Sequence, residues 1–169
     1  MNSDAQDAEI MRLRLQSGLS SVANVVEWAD EVIATRDNPQ EWLINLSLSR
    51  TANPHDVVSI LYSIAKGADR YAAIRTLLGE MFDVIIVDRG RARTFANALY
   101  QLAIENAYEF PPDLRFINGI DDEFCLATEG IYKTLDQEID DFTEILRKFG
   151  EQGGGGYGSP AACSPSPHR

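Results

Sequence analysis

Two groups of closely spaced carboxylates stand near the C-terminal end of the sequence. Asp136, Asp140 and Glu144 lie four residues apart, so on a helix they would form one stripe, and Asp141 would lie beside it. The run Asp121-Asp122-Glu123 forms the second group. Carboxylates on one helix face could ligate Mg²⁺ or Ca²⁺, although the spacing of a calcium loop is absent.

An acidic helix face of this kind also attracts a basic protein partner through its electric field. The commoner explanation is a solvated face opposite the apolar one, and Arg147 and Lys148 lie within one turn of Glu144 as ordinary helix partners. We predict a binding surface for a basic protein partner here, and no metal site. The residues of this predicted surface are Asp121, Asp122, Glu123, Asp136, Asp140, Asp141 and Glu144.

Three alternating arginines, Arg89, Arg91 and Arg93, lie in a segment that carries no excess of acids. Guanidinium groups bind carboxylates and phosphates in a fork geometry, so the cluster is a candidate anion site. The alternative is pairing with the acidic C-terminal helices of the same chain. We favour this alternative, because acids outnumber bases in the sequence and partners are therefore plentiful.

The residues that most enzymes need are scarce. The two histidines are His55, at a predicted helix start, and His168, in the C-terminal tail. A catalytic pair would need His55, and nothing near His55 in the sequence marks a nucleophile, so no catalytic pair is predicted. A structural zinc site needs four Cys or His ligands. The sequence has four such residues, the two histidines with Cys125 and Cys163, and two of them lie in the tail, so we predict no zinc site. No glycine-rich phosphate loop is present, and we predict no cofactor.

Composition limits the classes of protein that the chain could represent. Its 169 residues are 44% hydrophobic and carry 15 Lys and Arg against 26 Asp and Glu, a formal net charge of −11. An acidic chain repels phosphate backbones, which argues against general nucleic-acid binding. No apolar run approaches the roughly 20 residues of a membrane span, and no secretory signal is visible. With only two cysteines, we expect a reduced, cytoplasmic protein.

Apolar residues recur with helical period along most of the chain, which predicts an all-α fold. The motifs Asn38-Pro39-Gln40-Glu41 and Asn53-Pro54-His55-Asp56 both resemble a cap followed by a first-turn proline, so we expect helices to begin at Pro39 and Pro54. The spacing of Ala8, Met11 and Leu15 predicts a short amphipathic first helix, which Gly18 should end, and Gly130 should end a later helix. The run Val84–Val87 fits either a helix end or a short strand, and we favour the helix because the helical stripe continues through it.

We therefore predict one all-α domain over residues 5–150, an irregular compact bundle of seven or eight short-to-medium helices. Residues 151–169 are rich in Gly, Ser and Pro and should form a flexible tail, because they cannot bury enough apolar area to offset their ordering entropy. Phe110-Pro111-Pro112-Asp113 is predicted to be a loop. Trp28 and Trp42 lie among apolar residues and should be core or half-buried.

Three functions are consistent with this sequence. The first is an interaction module that binds a basic protein through its acidic helical face, for example as an immunity- or antitoxin-type inhibitor of a basic nuclease. The second is a structural or regulatory helical subunit that associates with itself. The third is a carboxylate- and Mg²⁺-dependent enzyme, for which the sequence offers the least support. We expect the first.

Overall fold

The computed structural model describes residues 3–151, with side chains from Asp4 onward. This part of the chain is all-helical, as the sequence predicts. Apart from Glu151, the predicted tail lies outside the described residues, as do Cys163 and His168. The described elements are α1 (Ser3–Ser17), α2 (Val22–Ala34), α3 (Glu41–Ser47), α4 (Pro54–Ile64), α5 (Arg70–Ile85), α6 (Ala92–Glu105), α7 (Ile120–Thr128) and α8 (Leu135–Gly150), with 3-10 turns at Arg89–Arg91 and Pro112–Asn118.

Helix α1 lies between two hydrophobic clusters. Ala8 and Met11 pack with α2, α3 and α4, whereas Leu13 belongs to the larger cluster that α5, α6, α7 and α8 build. We expected an amphipathic first helix, and this expectation was wrong, because apolar side chains leave α1 in more than one direction. A helix that is covered on two sides needs apolar residues on both.

Helix α4 begins as its capping motif predicts. Asn53 is the N-cap, its side chain accepts a hydrogen bond from the backbone N–H of His55, and Pro54 occupies the first turn. Asp69 caps α5 in the same way, through the N–H of Ala72. These contacts satisfy first-turn amides that have no partner within the helix.

The matching motif at Asn38-Pro39 does not start a helix, so this prediction was wrong. Helix α3 begins two residues later, with Gln40 as its N-cap. The side-chain amide of Gln40 contacts Asp4 at 3.5 Å, and its oxygen accepts a hydrogen bond from the indole N–H of Trp42. The Trp42 ring stacks on that of Trp28 with centroids 6.3 Å apart, and both rings are half-buried, as expected.

The ambiguous run Val84–Val87 is the end of a helix, which confirms the favoured interpretation. Helix α5 extends to Ile85, and Ile86 is its C-cap. Ile85 is buried, whereas Ile86 and Val87 are 58% and 86% exposed. The predicted loop at Phe110–Asp113 is partly wrong, because Pro112 begins a 3-10 turn that continues to Asn118.

Three helices end in a residue with left-handed backbone. Gly18 (φ 74°) follows α1 and Gly130 (φ 69°) follows α7, as the sequence predicts. Ala107 (φ 51°) stands at the corresponding place after α6. In each case the N–H of the next residue donates to a carbonyl five residues earlier, at distances of 2.9–3.1 Å. Left-handed backbone costs little for glycine but is strained for alanine.

Candidate functional site

The predicted acidic surface is placed mainly on α7 and α8, and several of its carboxylates are paired within the chain. Arg89 donates to Asp140 at 2.7 Å, and its guanidinium lies 4.0 Å from the carboxylate of Asp136. Glu144 accepts from Arg147 at 2.9 Å. These contacts are exposed on the surface, where ion pairs contribute little to stability but reduce the local field.

The other two arginines of the candidate anion site also bond within the chain. Arg93 lies 3.2 Å from the carboxylate of Asp121, and Arg91 donates to the backbone carbonyl of Gly18 at 2.8 Å. Asp122 and Glu123 are exposed and form no ion pair with any residue that the structure describes. The three arginines thus bond at different places within the chain and do not converge on one site.

Asp141 belongs to a different arrangement, around the buried carboxylate of Glu138. Lys133 lies 2.6 Å from Glu138 and 2.8 Å from Asp141. Burial raises the pKa of Glu138, which Lys133 opposes. Hydrogen bonding to Asp141 and the contact with Glu138 raise the pKa of Lys133. Lys133 therefore keeps its charge and ties the loop between α7 and α8 to the first turns of α8.

Four exposed apolar side chains lie in this loop and at the helix ends beside it, and we call them the corner patch. It consists of Leu126 at the end of α7, Ile131 and Tyr132 in the loop, and Leu135 at the start of α8, with exposed fractions of 42%, 65%, 77% and 39%. The backbone N–H of Ile131 donates to the carbonyl of Leu126, which folds the loop back on α7. Large apolar side chains that are grouped on a surface frequently mark binding sites.

Acidic residues flank the residues of the corner patch in the sequence. Glu123 and Glu129 lie on either side of Leu126 in sequence, and Asp136 follows Leu135 with 90% of its side chain exposed. Sequence reasoning found the acids but missed the patch. The available signal was Ile131-Tyr132, an apolar pair between Gly130 and the cap of α8 that belongs to no amphipathic helix.

A second polar cluster, which sequence reasoning also missed, surrounds the buried guanidinium of Arg12 in α1. Arg12 donates to both carboxylate oxygens of Glu9 at 2.8 Å, and it also contacts Gln16 and Glu105. Arg70 approaches from α5 and pairs with Glu105 at 2.9 Å. Burial disfavours the charged form of Arg12, but bonding to Glu9 and Glu105 outweighs it and raises its pKa. These five residues form what we call the Arg12 network.

Two features are absent from the part of the chain that the structure describes. Between residues 3 and 151, no group of three or more His, Cys, Asp or Glu side chains is arranged to hold a metal ion. In the same range, no helix is both long enough and apolar enough to cross a membrane. Comparison with protein-family models, with curated proteins and with solved structures finds no match to this chain.

Proposed function

We propose that the protein is an interaction module that binds a basic protein partner through the corner patch and the acids around it. The observation that supports this is the grouping of four exposed apolar side chains within ten residues of an acidic region. Protein interfaces take most of their binding energy from a few aromatic and apolar anchors. Tyr132, the most exposed of the four, is the expected anchor.

The charge around the patch defines the chemistry of the partner. Residues 120–150 hold nine Asp and Glu against three Lys and Arg. Two of these bases, Lys133 and Arg147, already pair with acids of α8. The partner should therefore present Lys or Arg around an apolar contact, since complementary charge speeds association and suppresses wrong partners. The carboxylates of the predicted acidic surface supply the negative charge that attracts the partner. The apolar contact itself is centred on the loop between α7 and α8.

An inhibitor of a basic enzyme in the cytoplasm, such as an immunity-type antitoxin, is the concrete form of this proposal. A surface with an apolar anchor and an acidic border suits the masking of a basic active-site cleft. Self-association is the second candidate, and the observation that favours it is the exposure of Ile86 and Val87 beyond the end of α5. The two candidates use different surfaces, so surface variants distinguish them.

The test is capture of a partner from host lysate with wild-type protein and with matched surface variants. Tyr132→Ala removes the anchor, and Leu48→Ser is the control, because Leu48 is 78% exposed on another part of the surface. We expect a stoichiometric basic partner that salt releases, that Tyr132→Ala loses and that Leu48→Ser retains. A partner that Tyr132→Ala still captures contradicts the proposed site. A complex that contains only this chain and that Val87→Ser disrupts supports self-association instead.

A further inference from the structure

A cleft beside the Arg12 network has no role in the proposed function. Its volume is about 390 Å³, and residues of α1, α4, α5 and α6 line it. Arg12, Tyr62 and Glu105 line it. A smaller cavity of about 190 Å³ shares Tyr62 and Arg70 with the cleft. Sites for small organic ligands generally have such volumes and lie where packed units meet.

The lining of the smaller cavity carries two cations and one carboxylate, so its net charge is positive. Lys66 and Arg70 both line it. Lys66 is exposed and forms no ion pair with the described residues. Arg70 pairs with Glu105 at 2.9 Å, and its Nε lies 3.7 Å from the carboxylate of Glu9 without a hydrogen bond. The one carboxylate of this lining, Glu9, already accepts two hydrogen bonds from Arg12. The charge of Lys66 is therefore unmatched in this cavity, and an anion beside Lys66 and Arg70 would pair with it.

The aromatic ring of Tyr62 connects the two cavities. It lines both and is 60% exposed, although the guanidinium carbon of Arg12 lies 5.7 Å from its centroid. The cleft is also lined by the apolar side chain of Val58, by Gln16 and by the carboxylate of Glu105. An exposed ring that is held next to an apolar wall is suited to packing against a flat ligand.

We infer that these two cavities form a binding site for a small ligand that combines an anionic group with an aromatic body. The anionic group, a carboxylate or a phosphate ester, lies beside Lys66 and Arg70. The aromatic body packs on Tyr62 and extends into the cleft toward Val58. This site is separate from the corner patch, and its ligand has the opposite charge from the proposed protein partner.

The first experiment is an amide chemical-shift titration of the full chain. Phenyl phosphate and benzoate are the probes, while phenol and inorganic phosphate each lack one half of the expected ligand. We expect saturable shifts at Tyr62, Lys66 and Arg70 with at least one probe. Phenol should bind about tenfold more weakly or not at all, since a charge-assisted hydrogen bond contributes about that factor. Inorganic phosphate should also bind more weakly, because it lacks the ring that packs on Tyr62. Which probe binds more tightly distinguishes a phosphate site from a carboxylate site.

Matched variants then test the placement of the ligand. Lys66→Gln and Tyr62→Ala change exposed side chains and should each weaken binding about tenfold. Lys148→Gln and Tyr132→Ala make the same changes elsewhere and should leave it unchanged. The inference is overturned if neither probe shifts these residues at millimolar concentration, if the shifts map to another surface, or if the matched variants lose affinity equally.

Discussion

The ammonium group of Lys133 lies 2.6 Å from Oε2 of Glu138, a carboxylate whose side chain has no exposed surface. Neither oxygen of Glu138 has a hydrogen-bond partner in the described part of the chain, so the contact is an ion pair without further bonding. Removal of one partner of a buried pair leaves an uncompensated charge, which costs far more than the pair itself contributes. The loop that carries the corner patch is therefore stabilised by one lysine.

Lys133→Met should lower the free energy of unfolding by about 3 kcal/mol, because Glu138 would remain buried without a cation. The double variant Lys133→Met/Glu138→Leu should recover most of this loss, since both groups would then be apolar. Urea unfolding measures both. Lys66→Met is the control and should change stability by less than about 0.5 kcal/mol, because Lys66 is exposed without an ion pair among the described residues. A Lys133→Met variant as stable as this control would contradict the prediction.

Asp4 should make the protein sensitive to acid. A bidentate hydrogen bond from Arg36 lowers the pKa of Asp4 below its ordinary value of 3.8, although burial acts in the opposite direction. A lowered pKa stabilises the fold above the unfolded value, and this contribution disappears as the pH falls through the folded value. Asp4→Asn should therefore lower the melting temperature at pH 6, and the difference from wild type should shrink as the pH falls below 3.8.

The control for this series is Asp122→Asn, which changes an exposed carboxylate that forms no ion pair among the described residues. Its melting temperature should follow that of wild type across the same pH range. An Asp4→Asn difference that stays constant with pH would show that the contact with Arg36 does not depend on the charge of Asp4.

Ala107→Gly should stabilise the protein by about 0.5–1 kcal/mol, because Ala107 adopts φ 51°, which is strained for any residue with a Cβ. Thermal unfolding measures the effect. Ala98→Gly is the control in the helix that Ala107 follows. Ala98 is half-buried in the interior of α6, where glycine should destabilise by about 0.5–1 kcal/mol. The prediction fails if the two substitutions change the melting temperature in the same direction.

Arg12→Lys should destabilise the protein by about 2–4 kcal/mol, although it keeps the charge. The guanidinium donates to two oxygens of Glu9 and reaches Glu105, a geometry that a single ammonium group does not reproduce. Urea unfolding compares it with Arg115→Lys, an exchange at an exposed site that should be neutral. Equal stability of the two variants would show that Arg12 acts only through its charge.

Local signals predicted the helices well wherever tertiary contacts agreed with them. Asn53-Pro54 and Asn38-Pro39 have the same cap chemistry, yet only the first begins a helix. At the second, Gln40 is held by Asp4 and Trp42, so contacts with another helix and within α3 move its start. A motif of four residues contains no information about a partner that lies 36 residues away in the chain.

The difference between local signals and long-range contacts also explains which candidate sites could be predicted from the sequence. Charge balance alone indicated that the arginines at 89–93 bond internally, and Arg89 and Arg93 do contact acids of α8 and α7. The Arg12 network joins residues up to 93 positions apart, so no spacing rule could find it. The corner patch was missed because helical periodicity identifies the apolar faces that are buried, not the apolar residues that remain outside.

The position of α1 between the two clusters affects the order of folding. During synthesis, α1 leaves the ribosome before every other described helix, and its contacts with α5 and α6 form only after residues as far as Glu105 have followed. Until then one side of α1, including Leu13, has no native cover. This side of α1 therefore stays exposed until more than half of the chain has been made, and in that interval it is open to non-native contacts.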